Sequence, residues 1–412
     1  MLIFASQITP RVQYVFDFIF RETLQLEYGL TSDEVYFSSV SDKVKWSYGS
    51  SIHGCPSLPA HRLLFENSIE PQSLSKIAIE DLIVLFEAEN IDGIDYDVFA
   101  SAFYLISRYE EYLPSVRDKH GRYAAYQSVA TEFGFLETAM VNRYIFWIIR
   151  WLKSHFTDLE IKMQKPKILF SIDIDHPFYS KDLPLDKWLI RSIKNIGNVG
   201  EKDKFDTYDF ILNTLGNISS IFFFLCPKNP SENDHFNKRD SENFKQLIHF
   251  IRSKSKIGIH PSYHSLDMSL IEEEIHWLSE LHTRPIKSSR FHYLKNDIEK
   301  AYIQLEKMGV KYDFSMGYGD FCGFRSSTSL PYFYFDLKKN RRTELVIFTP
   351  CIMDSTFRYG SQHGFQDKLT FIYDEIKTYG GYFIPIFHND ILAENEWQSN
   401  FEFCVQLVKN EE

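Results

Sequence analysis

From residue 167 onward, short apolar runs alternate with segments of helical period, and this constrains the fold more than any other feature. The runs lie at 168–174, 219–224, 256–259, 288–292, 311–314, 345–348 and 381–387. Between several of them, at 208–215, 242–253, 270–282, 298–308 and 367–378, apolar residues recur at three- and four-residue steps. Strands that alternate with helices pair in parallel through right-handed crossovers. The expectation is an α/β barrel or wound sheet with its functional groups at the C-terminal ends of the strands.

The preceding 160 residues read as a smaller mixed α/β domain. A strand is expected at 1–6, a helix at 12–26, a strand at 34–39, a loop at 48–59 and a helix at 97–112. The stretch 141–155 is apolar nearly all round, which predicts a helix buried between the two halves. Arg108-Tyr109-Glu110-Glu111-Tyr112 and the following Asp118-Lys119-His120-Gly121 are charge clusters of the kind that form solvated surface. A boundary at 158–166 divides the 412 residues into domains 1–160 and 161–412, each long enough to bury a core.

Composition excludes some classes. A formal charge of −11 with no basic run argues against a nucleic-acid surface. Five cysteines, odd in number and never in a CxxC pair, fit free thiols in a reducing compartment. The N-terminus lacks the charged start and cleavage site of a secretory signal, and no segment approaches the roughly 18–20 apolar residues of a membrane span. A cytoplasmic protein is expected. The 37 Phe and 24 Tyr are enough to fill cores and to line a sugar-binding cleft as well.

The polar residues that stand out close the apolar runs. Strand side chains alternate, so in Ser171-Ile172-Asp173-Ile174-Asp175 the two carboxylates share a face. Like charges side by side call for a cation or a shared proton. His260 and His264 follow the run at 256–259 and can grip one cation from a tight loop. Ser289-Arg290-Phe291-His292-Tyr293 places a cation and an imidazole after another run, and His388 closes the last. One Asp with two His leaves a divalent ion with open positions, as a catalytic site needs. The other Asp is then free as general base and a further His as general acid.

These segments, in this order, resemble the polysaccharide deacetylase (carbohydrate esterase family four) catalytic domain, a distorted (β/α) barrel that removes N-acetyl groups from sugars with a divalent metal. The resemblance rests on the Asp173/Asp175 pair, His260 to His264, Arg290-Phe291-His292-Tyr293, Tyr312-Asp313-Phe314 and Ile386-Phe387-His388. It implies Asp173 as base, Asp175, His260 and His264 as metal ligands, Arg290 as the partner of Asp173, and His388 as the acid. Tyr293, through its main-chain N–H, His292 and Asp313 would stand at the substrate or oxyanion. Asp313, or else Asp320 or Asp336, would tune His388. Zinc is the default ion for such ligands, with cobalt, nickel or manganese also compatible. Residues 1–160 lie outside the match and resemble an accessory domain found in some bacterial proteins of this kind.

The chain departs from the family pattern in several places. Ile174 separates the two aspartates, Pro261 follows the first His, His292 stands where proline is usual, and no Asp-Trp follows Asp313. All the implied ligands are present, so the departures bear on substrate class. The substrate is expected to be a saccharide or a small N-acylated molecule. Hydrolysis of another non-peptide C–N bond (a small amide, formamide or ureide) stays open, as does an inactive saccharide-binding relative.

Overall fold

The computed structural model describes residues 1–162, 165–181, 203–234, 238–265, 268–360 and 362–409. The expected boundary at 158–166 therefore falls partly outside the described residues. The N-terminal part is built on four parallel strands, β1 (Leu2–Ala5), β2 (Gly29–Thr31), β3 (Lys45–Tyr48) and β4 (Ser57–Leu58), in the order β2-β1-β3-β4. Pro10–Phe16 is helical, with Thr9 as its side-chain cap, and passes into a π-helical segment, Asp17–Thr23. The strand expected at 34–39 is instead a helix, Glu34–Ser39. Asp33 accepts the Tyr36 N–H there, and that cap outweighs the strand preference of Val35, Tyr36 and Phe37.

The C-terminal part is built on a nine-stranded sheet, beside which Lys167–Ile168 and Tyr382–Phe383 form a separate parallel pair. In chain order the strands of the sheet are β5 (Phe170–Ile174), β6 (Ser220–Phe224), β7 (Lys256–Ile259), β8 (Ser288–Ser289), β9 (Tyr312–Asp313), β10 (Tyr332–Asp336), β11 (Arg341–Ile347), β12 (Ile352–Met353) and β13 (Pro385–His388). They lie in the order β10-β11-β9-β8-β7-β6-β5-β13-β12, and every neighbouring pair is parallel except β10 with β11. The helices Tyr208–Leu215, Glu242–Arg252, Met268–His282, Ile298–Lys307 and Phe365–Tyr379 fall between strands, as the alternation requires. The protein is thus α/β with parallel strands and helical crossovers. Among the described residues the ladder runs open from β10 to β12, and no pairing closes it into a barrel. No helix among them is long and apolar enough to cross a membrane.

Strand β10 does not follow the strand–helix rhythm, which is why that rhythm fails to predict it. It returns antiparallel beside β11 and docks the N-terminal part. Phe335 meets Tyr14 and Phe103 at ring-centroid distances of 4.8 and 5.2 Å, and the Tyr14 hydroxyl donates to the Phe333 carbonyl at 2.6 Å. The helix Met140–His155 adds polar ties, Asn142 Nδ2 donating to Ser329 Oγ at 2.7 Å and to the Gly380 carbonyl at 2.9 Å. One hydrophobic cluster spans both parts. All five cysteines are free.

The charge cluster at 108–112 is buried rather than solvated. Arg108 Nε and Nη2 bond Glu111 at 2.8 Å and Glu110 at 2.7 Å, while Arg325, from beyond β9, bonds Glu111 at 2.6 and 2.9 Å. Burial is tolerated because Glu111 meets the Arg325 guanidinium fork and Glu110 meets Arg108 Nη2 and the Val129 N–H.

Candidate metal centre and catalytic cavity

Strand β5 delivers Ser171 and Asp173 to one face, and the spacing is visible in what holds them. Arg290, fully buried just past β8, donates from Nη1 to Asp173 Oδ1 at 2.8 Å and from Nη2 to Ser171 Oγ at 2.8 Å. Its Nε donates to the Phe314 carbonyl at 3.1 Å, so the guanidinium cannot swing away. The other carboxylate oxygen of Asp173 lies 3.9 Å from His260 Nε2 and 4.0 Å from His388 Nε2.

Asp175, two residues on, meets two imidazoles. Its Oδ1 is 3.1 Å from His260 Nε2 and its Oδ2 is 3.3 Å from His292 Nε2. These three side chains offer ligand atoms that all lie within 4.8 Å of one another. Each ring is fixed from behind. His260 Nδ1 bonds the Arg290 carbonyl at 2.5 Å, and His292 Nδ1 bonds Asp234 Oδ1 at 3.1 Å. A His whose Nδ1–H is engaged by an oxygen presents its Nε2 lone pair, the arrangement that metal-binding imidazoles use. One carboxylate and two such nitrogens suit a divalent ion and leave coordination positions open.

The electrostatics follow the same contacts. Burial alone would raise the Asp175 carboxyl and lower the His292 imidazole, but their mutual attraction reverses both. Asp175 is held well below the usual carboxylate range, and His292, with Asp234 behind it, is raised to about 9. His388 ends β13. Asp354 accepts its main-chain N–H at 2.8 Å and pairs with its Nδ1 at 2.6 Å. Burial would lower this imidazole too, yet Asp354, then Asp175 and Asp173, hold it well above its ordinary value.

Of the residues singled out from sequence, Asp173, Asp175, His260, Arg290, His292, Tyr293 and His388 meet around one cavity. His264 does not. It sits in the turn after β7, exposed, with its ring against Tyr263 at 5.2 Å, and the second imidazole at Asp175 is His292. Pro261 and the turn at Tyr263–Ser265 carry the chain away from the strand end, so four-residue spacing does not return His264 to the His260 face. Asp313 does not reach His388 either. It accepts from Ser289 Oγ at 2.7 Å and Ser315 N–H at 2.8 Å, locking β8 to β9. Asp336 accepts the Lys339 N–H at 3.2 Å, and Asp320 lines the cavity.

The carboxylates behind His388 and His292 are not legible in the sequence. Asp354 follows a two-residue strand too short for periodicity to mark. Asp234 lies in the polar stretch Ser231-Glu232-Asn233-Asp234, where nothing local distinguishes it from a turn. The cavity encloses about 810 Å³, within the range of ligand sites. One wall comes from the N-terminal part, through Asp118, Lys119, His120 and Arg122.

Residues 1–157 match a family described only as a family of unknown function, DUF7033. No curated protein matches the chain. Among solved structures it is similar to one from Mycobacterium smegmatis assigned to the polysaccharide deacetylases (15% identity, TM-score 0.39, covering 60% of this chain and 85% of that one). It is also similar to the Puue allantoinase (10%, TM-score 0.38, 60% and 85%) and to a polysaccharide deacetylase from Bacillus cereus (10%, TM-score 0.30, 60% and 88%).

Proposed function

We propose that this chain is a metal-dependent hydrolase that removes an N-acyl group, acetyl first among them, from a saccharide. The observation that carries the proposal is the separation of three roles within one cavity: a donor set (Asp175, His260, His292), a carboxylate clamped by a buried guanidinium (Asp173 on Arg290), and an imidazole backed by its own carboxylate (His388 on Asp354). Asp175, His260 and His292 would hold the ion. A divalent ion there would supply a water of lowered pKa and polarise the acyl carbonyl.

The remaining chemistry belongs to the side chains. Asp173 keeps one oxygen on Arg290 and turns the other toward the His260 and His388 Nε2 atoms, so it can take a proton from a nucleophilic water in the cavity. His388 bonds Asp354 through Nδ1 and presents Nε2, from which a proton can pass to the departing amine. Tyr293 has φ 60° and ψ 12°, a left-handed conformation that is costly for an aromatic residue. Its main-chain N–H is the candidate donor to the developing oxyanion.

Metal analysis of the purified protein, followed by acetate release from N-acetylated saccharides, tests this. Wild type without a divalent ion, or a His260→Ala/His292→Ala double variant that keeps it, would sink the proposal. A second reading, hydrolysis of a small amide or ureide, draws on the wall that the N-terminal part adds to the cavity, which suits a small ligand over a polymer. Running formamides and ureides beside N-acetylated sugars separates the two.

A further inference from the structure

Residues from the N-terminal part reach into a cavity built by the C-terminal strands. The segment concerned is a small hairpin, closed by an antiparallel bridge between Arg117 and Tyr123 and turned at Gly121, whose φ is 79°. Asp118 organises it from within. Its Oδ1 accepts the N–H groups of His120 and Arg122, each at 2.9 Å, and its Oδ2 accepts Arg122 Nε at 2.7 Å. An Asp that bonds two main-chain donors and its neighbour's guanidinium makes a rigid turn rather than a loose surface loop. The hairpin's root leads back to the buried Arg108–Glu111–Arg325 network.

Two side chains leave this turn toward the cavity. Arg122 Nη1 donates to the Tyr293 carbonyl at 2.9 Å and is packed over Gly319, where an added Cβ would fall 2.0 Å from the same nitrogen. Only glycine leaves room for the guanidinium there. His120 Nδ1 bonds the Tyr263 hydroxyl at 3.0 Å, and its ring lies 4.8 Å from that of Tyr293. Tyr263 and Tyr293 meet edge-on at 5.4 Å. His120 and Tyr293 both line the cavity while half-buried.

We propose that the 117–123 hairpin is part of the substrate site: His120 and Tyr293 form an aromatic wall for a saccharide ring, and Arg122 is a positioning residue that holds the Tyr293 main chain. Half-buried rings offer a sugar's C–H face a surface that aliphatic side chains do not. A left-handed Tyr needs an outside restraint, and a charge-assisted bond to its carbonyl supplies one. The wall also blocks one side of the cavity, so it fits a sugar of one or two rings better than the interior of a polymer. The inference rests on the hydrolase proposal for its kinetics but not for its binding readout.

The experiment uses the 412-residue chain loaded with metal, and N-acetylglucosamine and di-N-acetylchitobiose as probes. Calorimetry on the Asp173→Asn protein gives Kd, and acetate release by the Asp173-containing enzyme gives kcat and KM. His120→Ala should raise Kd and KM by about tenfold or more with kcat changed less than threefold, as loss of one stacked ring predicts. Arg122→Ala should lower kcat by about 10²-fold, as loss of an oxyanion donor does, with metal content and Tm held. Arg122→Lys, which can still donate to the carbonyl, should recover part of that loss.

If both variants keep wild-type kcat, KM and Kd, the proposal fails. It fails equally if activity falls only in step with Tm or metal content. Binding by the wild-type chain that His120→Ala abolishes, without turnover of any probe, upholds the hairpin and removes the hydrolase proposal. Turnover with no dependence on either side chain does the reverse. Neither binding nor turnover overturns the hairpin as a saccharide wall.

Discussion

Two clusters of buried charge lie within this molecule and behave in opposite ways. Around Glu111, two arginines and two glutamates are closed against protein on every side. Arg325 reaches Asn296 Oδ1 at 3.1 Å, and Glu110 accepts the Val129 N–H at 2.8 Å. Around Asp175, whose side chain is 14% exposed, two aspartates, an arginine and three histidines gather less deeply, and all of them but Arg290 border a cavity of about 810 Å³. Both clusters bear the cost of taking ions out of water. The first uses its charges to fasten one part of the chain to the other. The second points its Nε2 atoms and its Asp173 oxygen into space that a ligand can enter. What distinguishes site from structure is the empty volume the charges face, and not the density of charge.

The contrast breaks first at Asp173. Asp173→Asn keeps an acceptor for Arg290 but no longer takes a proton, so acetate release should fall by about 10³-fold or more while bound metal is retained. Steady-state rates and metal analysis on the same preparation check both halves. A fully active Asn variant would dissolve the division between Asp173 and Asp175.

At the closed cluster the expected effect is on stability. Glu111→Leu leaves Arg325 buried without its carboxylate and should cost about 3–5 kcal/mol in denaturant unfolding. Removing both partners, Glu111→Leu with Arg325→Met, should return most of that. Catalysis per folded molecule should not change. If the single variant costs nothing, the network fastens nothing and the contrast loses one side.

The candidate metal set offers a smaller but sharper test, because it pits two histidines against each other. His292→Ala should lower affinity for a divalent ion by at least about tenfold to a hundredfold, since even groups behind a ligand matter that much. His264→Ala should leave metal content unchanged. Equilibrium dialysis against zinc distinguishes them, and the reverse outcome would restore the four-residue pair.

How much of this the sequence carried depends on which interactions decide each element. Parallel strands and amphipathic helices are written locally, in periods of 2 and 3.6, and β7 and the helix Tyr208–Leu215 appear with the boundaries the pattern predicts. The shared face of Ser171 and Asp173 follows from the same alternation. What was not legible depends on where the chain goes next. The turn after Pro261 decides that His264 faces out, and the register of β8 against β7 decides that His292 faces in. Asp234 and Asp354 matter only because remote imidazoles arrive beside them. Glu111 looks like a solvated charge until Arg325, more than two hundred residues on, is brought to it.

The smallest effect expected is a displacement along pH, and it separates the His388–Asp354 pair from the candidate metal donors beside it. A general acid must hold its proton until it gives it away, so activity carried by His388 is lost as pH rises through its pKa. Asp354 is the first of the causes that raise this pKa against burial, and it stands behind the ring, away from Asp175 and the ligand nitrogens. Asp354→Asn removes that attraction while keeping an oxygen for Nδ1–H. The alkaline limb of the kcat profile should therefore move to lower pH, costing about tenfold in rate on that limb for each unit of displacement. The acid limb, set by deprotonation of the base, should stay in place. A profile of kcat against pH for wild type and Asp354→Asn, at saturating metal, checks the sign. An alkaline limb that moves upward, or does not move, would take the acid role from His388 and leave the imidazole, like the arginines around Glu111, a structural charge that happens to border the cavity.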